Sequence, residues 1–257
     1  MKILLTGHKG FIGQHLYNFL KDNHTIIGID DKSGDNLLTC DLKHNVDLVI
    51  HLAGLSGVRD SLDRPTDYWE QNVIAGQRLF DYFKDTRILY ASSSTAHEPW
   101  SNPYAMSKYG LEQIAPKNSV GMRFTTVYGP NARETMLIPR ILKHDVPYIN
   151  INHSRDFLHV DDLVRAINSL INSNVKGITD IGSGRTNNLI ELVDYFKIDC
   201  KRVVGNKFER LDNLADNTLL NNLGWSPQIN LYDYIKENKH DNWRVSKGSF
   251  FNGILCR

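Results

Sequence analysis

From Thr6 to Gly13 the chain reads T-G-H-K-G-F-I-G, a G-x-x-G-x-x-G string. It follows a short apolar run, Ile3 to Thr6, and opens a helical pattern, Phe11 to Lys21, with Phe11, Ile12, Leu16, Phe19 and Leu20 near one face. Glycines at such a strand-to-helix junction let the backbone turn and approach a pyrophosphate, while the helix N-terminus points N–H groups at the anion. A plain tight turn gives the same glycines, so the neighbouring residues matter. A second strand pattern, Thr25 to Asp30, ends in an acid seventeen residues past Gly13. A carboxylate there accepts hydrogen bonds from both ribose hydroxyls of NAD and repels a 2′-phosphate. No arginine follows Asp30 directly, although Lys32 lies close. The chain is expected to bind NAD rather than NADP; the alternative for Asp30 is a solvated turn residue.

Short β-rich runs alternate with helical periods, the signature of a parallel α/β sheet. Strands are expected at Asp47–His51, Arg87–Ser92 and Val120–Thr126, and helices at Thr66–Lys84 and Tyr104–Ile114, the latter stopped by Pro116. Further helices are expected at Thr135–Lys143, Asp161–Ile171, Asn187–Phe196 and Leu231–Glu237. Leu37–Cys40 resembles a strand, yet only Asp41 to Val46 joins it to the next. Crossing three strand spacings takes roughly 14 Å, and six residues span at most roughly 20 Å. Either this third strand is very short or its crossover helix is absent. The fold class expected is α/β, a Rossmann-type doubly wound parallel sheet with a small interleaved C-terminal domain. Residues 1–129 with about 155–182 would form the NAD-binding part, and about 130–154 with 183–257 the substrate part. The closing stretch, Gly248 to Arg257, fits none of these patterns.

Composition narrows the function. Lys+Arg 30 against Asp+Glu 29 gives a net charge of +1, with no broad basic face for nucleic acid. No apolar run approaches eighteen residues, so no transmembrane helix is expected. The opening Met1 to Gly7 is too short in apolar residues for a signal peptide. Three distant cysteines, Cys40, Cys200 and Cys256, form neither a disulfide framework nor a metal spacing. A cytoplasmic location is expected, and no metal site is.

Tyr104-Ala-Met-Ser-Lys108 is Y-x-x-x-K, which on a helix places both side chains on one face. A lysine ammonium beside a phenol favours the phenolate, making Tyr104 a candidate base. Such a pair also occurs by chance in many helices. Here Ser92-Ser93-Ser94 lies just upstream at a strand end, where parallel sheets keep their chemistry. The Ser93 hydroxyl can share the same substrate oxygen; the serine run can equally be a polar loop or a helix cap.

With these motifs the chain resembles an extended short-chain dehydrogenase/reductase of the NAD-dependent nucleotide-sugar epimerase/dehydratase group. Further motifs carry the resemblance almost end to end: H-x-A-G at His51–Gly54, and the Gly57–Gly76 segment with Arg59, Ser61, Pro65, Tyr68, Asn72 and Gly76. R-F-x-x-V-Y-G-P ends at Pro130, R-D-F-x-H-V-x-D starts at Arg155, and L-G-W-x-P ends at Pro227. The resemblance implies Tyr104 as base, Lys108 as cofactor anchor and Ser93 as hydroxyl partner. It implies that Gly7, Gly10, Phe11, Ile12, Gly13, Asp30, Asp41, Leu42, Leu52, Ala53 and Gly54 hold NAD together with Tyr104 and Lys108. It further implies that Arg155 and Arg210 grip a diphosphate, which suits guanidinium geometry, and that Thr126 and Ser93 face the sugar. An ordinary ion pair of Arg155 with Asp156 or Asp162 is the alternative. A homodimer through the two long helices is also implied.

The 4,6-dehydratases of this group carry an acidic pair after the active-site hydroxyl, and the related decarboxylases keep an acid there. Here the stretch is Ser92-Ser93-Ser94-Thr95, without a carboxylate. The serine run is similar to that of 4-epimerases, while Gly57–Leu62 and Val127–Met136 resemble UDP-glucuronate 4-epimerases. The expected activity is C4 epimerisation of a UDP-hexose or UDP-uronate through a transient 4-keto sugar, an isomerase that retains its NAD, with a role in polysaccharide biosynthesis. A nucleotide-sugar dehydrogenase or reductase with net NAD(P)(H) turnover is the alternative, and a non-catalytic NAD-binding protein a remoter one. Only eleven positions separate Ser93 from Tyr104, fewer than is usual in the group.

Overall fold

The structure, a computed structural model, describes residues 1–239; Gly248–Arg257 and Cys256 lie outside the described residues. Five parallel strands with short apolar runs form one side of the topology: β1 (Lys2–Thr6), β2 (Thr25–Ile29), β3 (Leu48–His51), β4 (Arg87–Ser93) and β5 (Ser119–Phe124). Helix α1 (Phe11–Leu20) joins β1 to β2. Between β3 and β4 run α2 (Val58–Asp63), α3 (Pro65–Trp69), a π-helical turn at Glu70–Ile74 and α4 (Ala75–Tyr82). Helix α5 (Pro103–Gln113) leads from β4 to β5; Pro103 stands at its first position and Asn102 caps it by accepting from Ala105 N at 2.8 Å.

Beyond β5 the chain leaves and re-enters the sheet. β6 (Thr126–Tyr128), α6 (Leu137–Leu142), β7 (Tyr148–Asn150), β8 (Ser154–His159) and α7 (Val160–Ile171) precede β9 (Gly177–Ile181). β10 (Thr186–Asn188), α8 (Leu189–Tyr195), β11 (Lys201–Val203), α9 (Thr218–Asn222) and α10 (Leu231–Asn238) complete the order. The main sheet runs β2-β1-β3-β4-β5-β9, all parallel, with smaller sheets β10-β8-β6 and β11-β7. The expected Val120–Thr126 strand is therefore two, because β5 pairs with β9 while Thr126 pairs with Phe157 of β8.

The third strand expected at Leu37–Cys40 does not form. Those residues make a turn in which Cys40 N donates to Asn36 O at 2.7 Å. Arg78 of α4 donates to the carbonyls of Leu37 and Cys40 at 2.7 and 2.6 Å, which takes the acceptors a strand partner would need. Leu37, Leu42 and Val46 fold under the sheet among Leu4, Ile29 and Val49. The apolar run thus serves the core rather than a ladder, and β2 is the edge of the main sheet.

Two apolar layers flank the sheet. One joins β1, β3, β4 and β5 to α1 and α7, whose Val160, Leu163, Val164, Ile167, Leu170 and Ile171 repeat at helical spacing. The other joins the opposite face to Ala75, Leu79, Phe80 and Leu111 of α4 and α5. A separate core gathers Ile138, Ile141, Ile149, Phe157, Leu192, Phe196 and Ile235. Two buried aspartates fasten this part to the sheet. Asp156 accepts from Ser183 N and Oγ, Gly184 N and Ala215 N. Asp162 pairs with Arg165 and accepts from Gln228 N and Ile229 N, while Trp225 Nε1 donates to Asp162 O. Among the described residues no helix is long and apolar enough to cross a membrane.

Candidate active site

The glycine string forms a cradle at the β1–α1 junction. Gly7 has φ +72°, and a Cβ there would lie 2.7 Å from Ala53 N; one on Gly13 would lie 2.0 Å from Gly7 O. Gly10 caps α1 without any side-chain bond, so the first N–H groups of the helix face outward unclaimed by a cap. Asp30 is buried at the end of β2 and offers both oxygens. Its Oδ2 accepts from Lys9 N at 2.8 Å and Oδ1 from Lys32 N at 2.9 Å, leaving lone pairs for ribose hydroxyls. Lys32 Nζ donates to Lys9 O, back across the loop. Phe11 and Ile12, in the first turn of α1, pack on the core, and Ala53 N donates to Thr6 Oγ1 at 3.2 Å. Leu52 N donates to Thr6 O at 3.2 Å. This donor and acceptor set fits a dinucleotide: a backbone cradle that a Cβ at Gly7 or Gly13 would fill, an uncapped helix N-terminus and an acid at the end of the neighbouring strand. Asp41 is exposed and accepts from Lys43 N, whereas the Leu42 side chain is taken into the core.

Asn72 shapes the opposite wall. It is fully buried in the π turn, a distortion that recurs at functional sites. Its amide accepts from Leu55 N at 2.8 Å and donates to Leu55 O at 3.0 Å and Ser107 Oγ at 2.9 Å. The loop after β3 is thereby pinned to α5. His51, also fully buried, shares a 2.7 Å hydrogen bond with Thr6 Oγ1, and burial holds it down to about 3, so it stays neutral.

Ser93, Tyr104 and Lys108 converge where β4 ends and α5 begins. Ser93 Oγ accepts from Thr95 N and Thr95 Oγ1 at 3.2 and 2.9 Å, and the Ser93 side chain lies close enough to the Tyr104 phenol to act on it. Lys108 Nζ donates to Ala91 O at 3.0 Å; burial lowers it to about 8, against an opposing pull from Glu112. Burial raises the Tyr104 phenol, against smaller lowering by the nearby Ser93 hydroxyl and the Arg133 charge. Arg133, in the turn after β6, adds a positive charge that acts on the phenol. Arg133 donates to Ser56 O at 3.4 Å, and Ser56 O also accepts from Tyr68, whose ring stands edge-on to Tyr104 at 6.0 Å. The shortened stretch between Ser93 and Tyr104 is spanned by two 3-10 turns, Ser94–His97 and Pro99–Ser101.

Two arginines meet beside this end of the sheet. Arg155, on β8, is lowered by burial and by the charge of Arg210, and raised by Glu209 and Asp212. Its acidic neighbour is Glu209 at 3.5 Å, not Asp156 or Asp162. Arg210 donates to Glu98 Oε1 at 3.0 Å and to Ser94 O at 2.7 Å, which ties it to the turn after Ser93. Thr126 accepts from Asn213 Nδ2 at 3.2 Å, and Asn213 also reaches Ser94 Oγ at 3.4 Å. Sequence reasoning missed Arg133, Glu209 and Asn213. Arg133 stood within the quoted Val127–Met136 string and Glu209 next to Arg210, so position was available but role was not.

Comparison with known proteins identifies the family. The family model "NAD dependent epimerase/dehydratase family" matches residues 3–182. A Bacillus subtilis (strain 168) protein named as an uncharacterized UDP-glucose epimerase, YtcB, is 33% identical over 66% of this chain and 72% of its own. A UDP-glucuronate 4-epimerase of Thermodesulfobacterium geofontis (strain OPF15) is 26% identical over 91% of this chain and 93% of its own. The crystal structure of UDP-glucuronic acid 4-epimerase from Bacillus cereus, in complex with UDP-glucuronic acid and NAD, superposes with a TM-score of 0.81 at 25% identity. That match covers 92% of this chain and 99% of the other. The chain therefore belongs to the NAD-dependent epimerase/dehydratase family, and is an epimerase-type enzyme with NAD as its cofactor.

Proposed function

We propose that the enzyme inverts C4 of a UDP-linked hexose or hexuronate without net consumption of NAD. The observation that carries this is the placement of Ser93 at the end of β4 next to Tyr104, with Lys108 one turn further along α5, Arg155 and Arg210 nearby and no carboxylate at Ser92–Thr95. The named 4-epimerases among the relatives support the same reading.

Gly7, Gly10, Phe11, Ile12, Gly13, Asp30, Leu52, Ala53 and Gly54 hold NAD, with Asp41 and Leu42 toward the adenine end and Lys108 at the nicotinamide ribose. When bound, NAD supplies a hydride acceptor at C4 that later gives the hydride back. Ser93 orients the 4-hydroxyl and Tyr104, as phenolate, takes its proton. Arg133 lowers the cost of that phenolate. Arg155 and Arg210 keep the diphosphate fixed while the 4-keto sugar turns its other face, and Tyr104 then returns the proton. Thr126, braced by Asn213, faces the sugar. The exposed guanidinium of Arg133, close to the phenol, supports a uronate among the candidate sugars.

The proposed division of labour is that residues 1–129 with about 155–182 hold the cofactor, and about 130–154 with 183–257 the nucleotide sugar. A cytoplasmic homodimer engaged in polysaccharide biosynthesis completes the proposal. Half-exposed Trp69, Ile74 and Tyr82 along the α3–α4 run support self-association, which analytical ultracentrifugation tests. For the reaction, purified protein with no added cofactor is incubated with UDP-glucose, UDP-galactose, UDP-N-acetylglucosamine, UDP-glucuronate and GDP-mannose in turn. Proton NMR then reads C4 epimer formation. Conversion only on addition of NADH or NAD supports an oxidoreductase instead.

A further inference from the structure

Tyr104, Lys108 and Glu112 are spaced four residues apart on α5 and share one face. The first two form the site; Glu112 lies one turn deeper. Its side chain is wholly buried and satisfied by three donors. Ser92 Oγ donates to Oε1 at 2.5 Å, Arg123 Nε to the same oxygen at 2.8 Å, and a second Arg123 nitrogen to Oε2 at 2.7 Å. Outward from Arg123 the line continues to His97 Nδ1 at 3.0 Å, whose Nε2 meets Asp180 at 2.9 Å. A buried ion pair is not needed to fill an apolar core and is weak evidence for stability. This one touches the strand end that carries Ser93: Ala91 O accepts from Lys108, and Ser92 Oγ donates to Glu112.

We propose that Glu112 is a positioning residue: it clamps the Ala91–Ser93 strand end against α5 and sets its carboxyl group one helical turn below Lys108 in the cofactor site. This rests on the reading of Lys108 as the NAD anchor. The titratable groups acting with Lys108 are Glu112 on its own helix and the neutral His51 from β3. The groups facing Glu112 are Tyr90 and Ser92 from β4 and Arg123 from β5. Glu112 raises Lys108 against the stronger lowering by burial, which agrees with its place one turn along the helix.

Two variants test this. Glu112→Gln keeps the shape and removes the charge. Glu112→Gln with Arg123→Gln removes both charges, so no guanidinium is left unpaired and folding is preserved if the single variant fails. Two readouts are taken: the fraction of NAD the holoenzyme retains through gel filtration between pH 6 and 9, and the pH dependence of kcat. Both variants are expected to release NAD about one pH unit lower than the wild type. The alkaline limb of kcat moves down with it, on the order of a tenfold loss at fixed pH above the limb. Glu112→Asp, which keeps the charge, restores most of the difference. A folded double variant with the wild-type NAD and kcat profiles overturns the proposal, since Glu112 is then only the counter-ion of Arg123. If no UDP-sugar is turned over at all, NAD retention still reports on Glu112, and only the epimerase reading fails.

Discussion

Gly54 and Asn72 touch so closely that position 54 admits no side chain. A Cβ on Gly54 would lie 2.5 Å from Asn72 Oδ1 and 3.5 Å from Lys108 Nζ, and Gly54 has φ +145°. Asn72 cannot withdraw, because its amide is committed to Leu55 and Ser107. Gly54→Ala is expected to destabilise the fold by about 2 kcal/mol or more and to lose bound NAD. Urea unfolding and the absorbance of the purified protein at 260 nm check both effects.

Tyr104→Phe removes the proton acceptor and leaves the packing against Tyr68 in place. We expect kcat to fall by about 100-fold or more with NAD still bound. Steady-state rates together with the NAD content of the variant measure this, and a variant close to wild type contradicts Tyr104 as the base.

Buried His51 gives the fold an acid limit. Its folded value is held down to about 3 from 6.5, so below about 6.5 the unfolded chain takes up a proton that the folded chain refuses. The associated stability is fully present above pH 6.5 and is lost as pH falls toward 3, at most about 5 kcal/mol. His51→Gln is less stable at neutral pH but should show a shallower decline in unfolding free energy between pH 6.5 and 4 than the wild type.

The region around Asp156 and the Asp30–Asp47 corner shows what a sequence can and cannot disclose. The cradle at Gly7–Gly13, the acid at Asp30, the Tyr104–Lys108 pair and Asn72 are local patterns or fixed motifs that can be read along the chain without its tertiary fold. The false strand at Leu37–Cys40 is apolar for a different reason: it packs under the sheet, and the Arg78 clamp that fixes it comes from a helix far along the chain. Strands β8 and β9 escaped notice because neither alternates cleanly. Glu209 and Glu112 gain meaning only when tertiary folding brings them to Arg155 and Arg123.

Asp156 itself is expected to be costly to remove. Burial raises its carboxyl, while hydrogen bonds from Ser183, Ala215 and Gly184 hold it back toward ionisation. Asp156→Ala leaves those donors without a partner and should cost about 3 kcal/mol or more, read as a lower denaturation midpoint with an unchanged m value.

Glu209 lies between Arg155 at 3.5 Å and Arg59 at 3.1 Å, so under the proposed role of Arg155 it would compete with an incoming diphosphate. Glu209→Gln should therefore lower KM for the UDP-sugar by about two- to fivefold with little change in kcat, the scale of one partly exposed ion pair. A raised KM contradicts the assignment of Arg155 to the diphosphate.

The central claim is epimerisation with retained NAD, and one spectrum tests it most directly. Purified protein carrying its own NAD, with none added, is mixed with UDP-glucuronate or UDP-glucose and followed by proton NMR to equilibrium. The expected result is a growing anomeric signal of the C4 epimer over many turnovers, with bound NAD unchanged. No epimer signal without added NADH or NAD, followed by conversion stoichiometric with the coenzyme supplied, contradicts it.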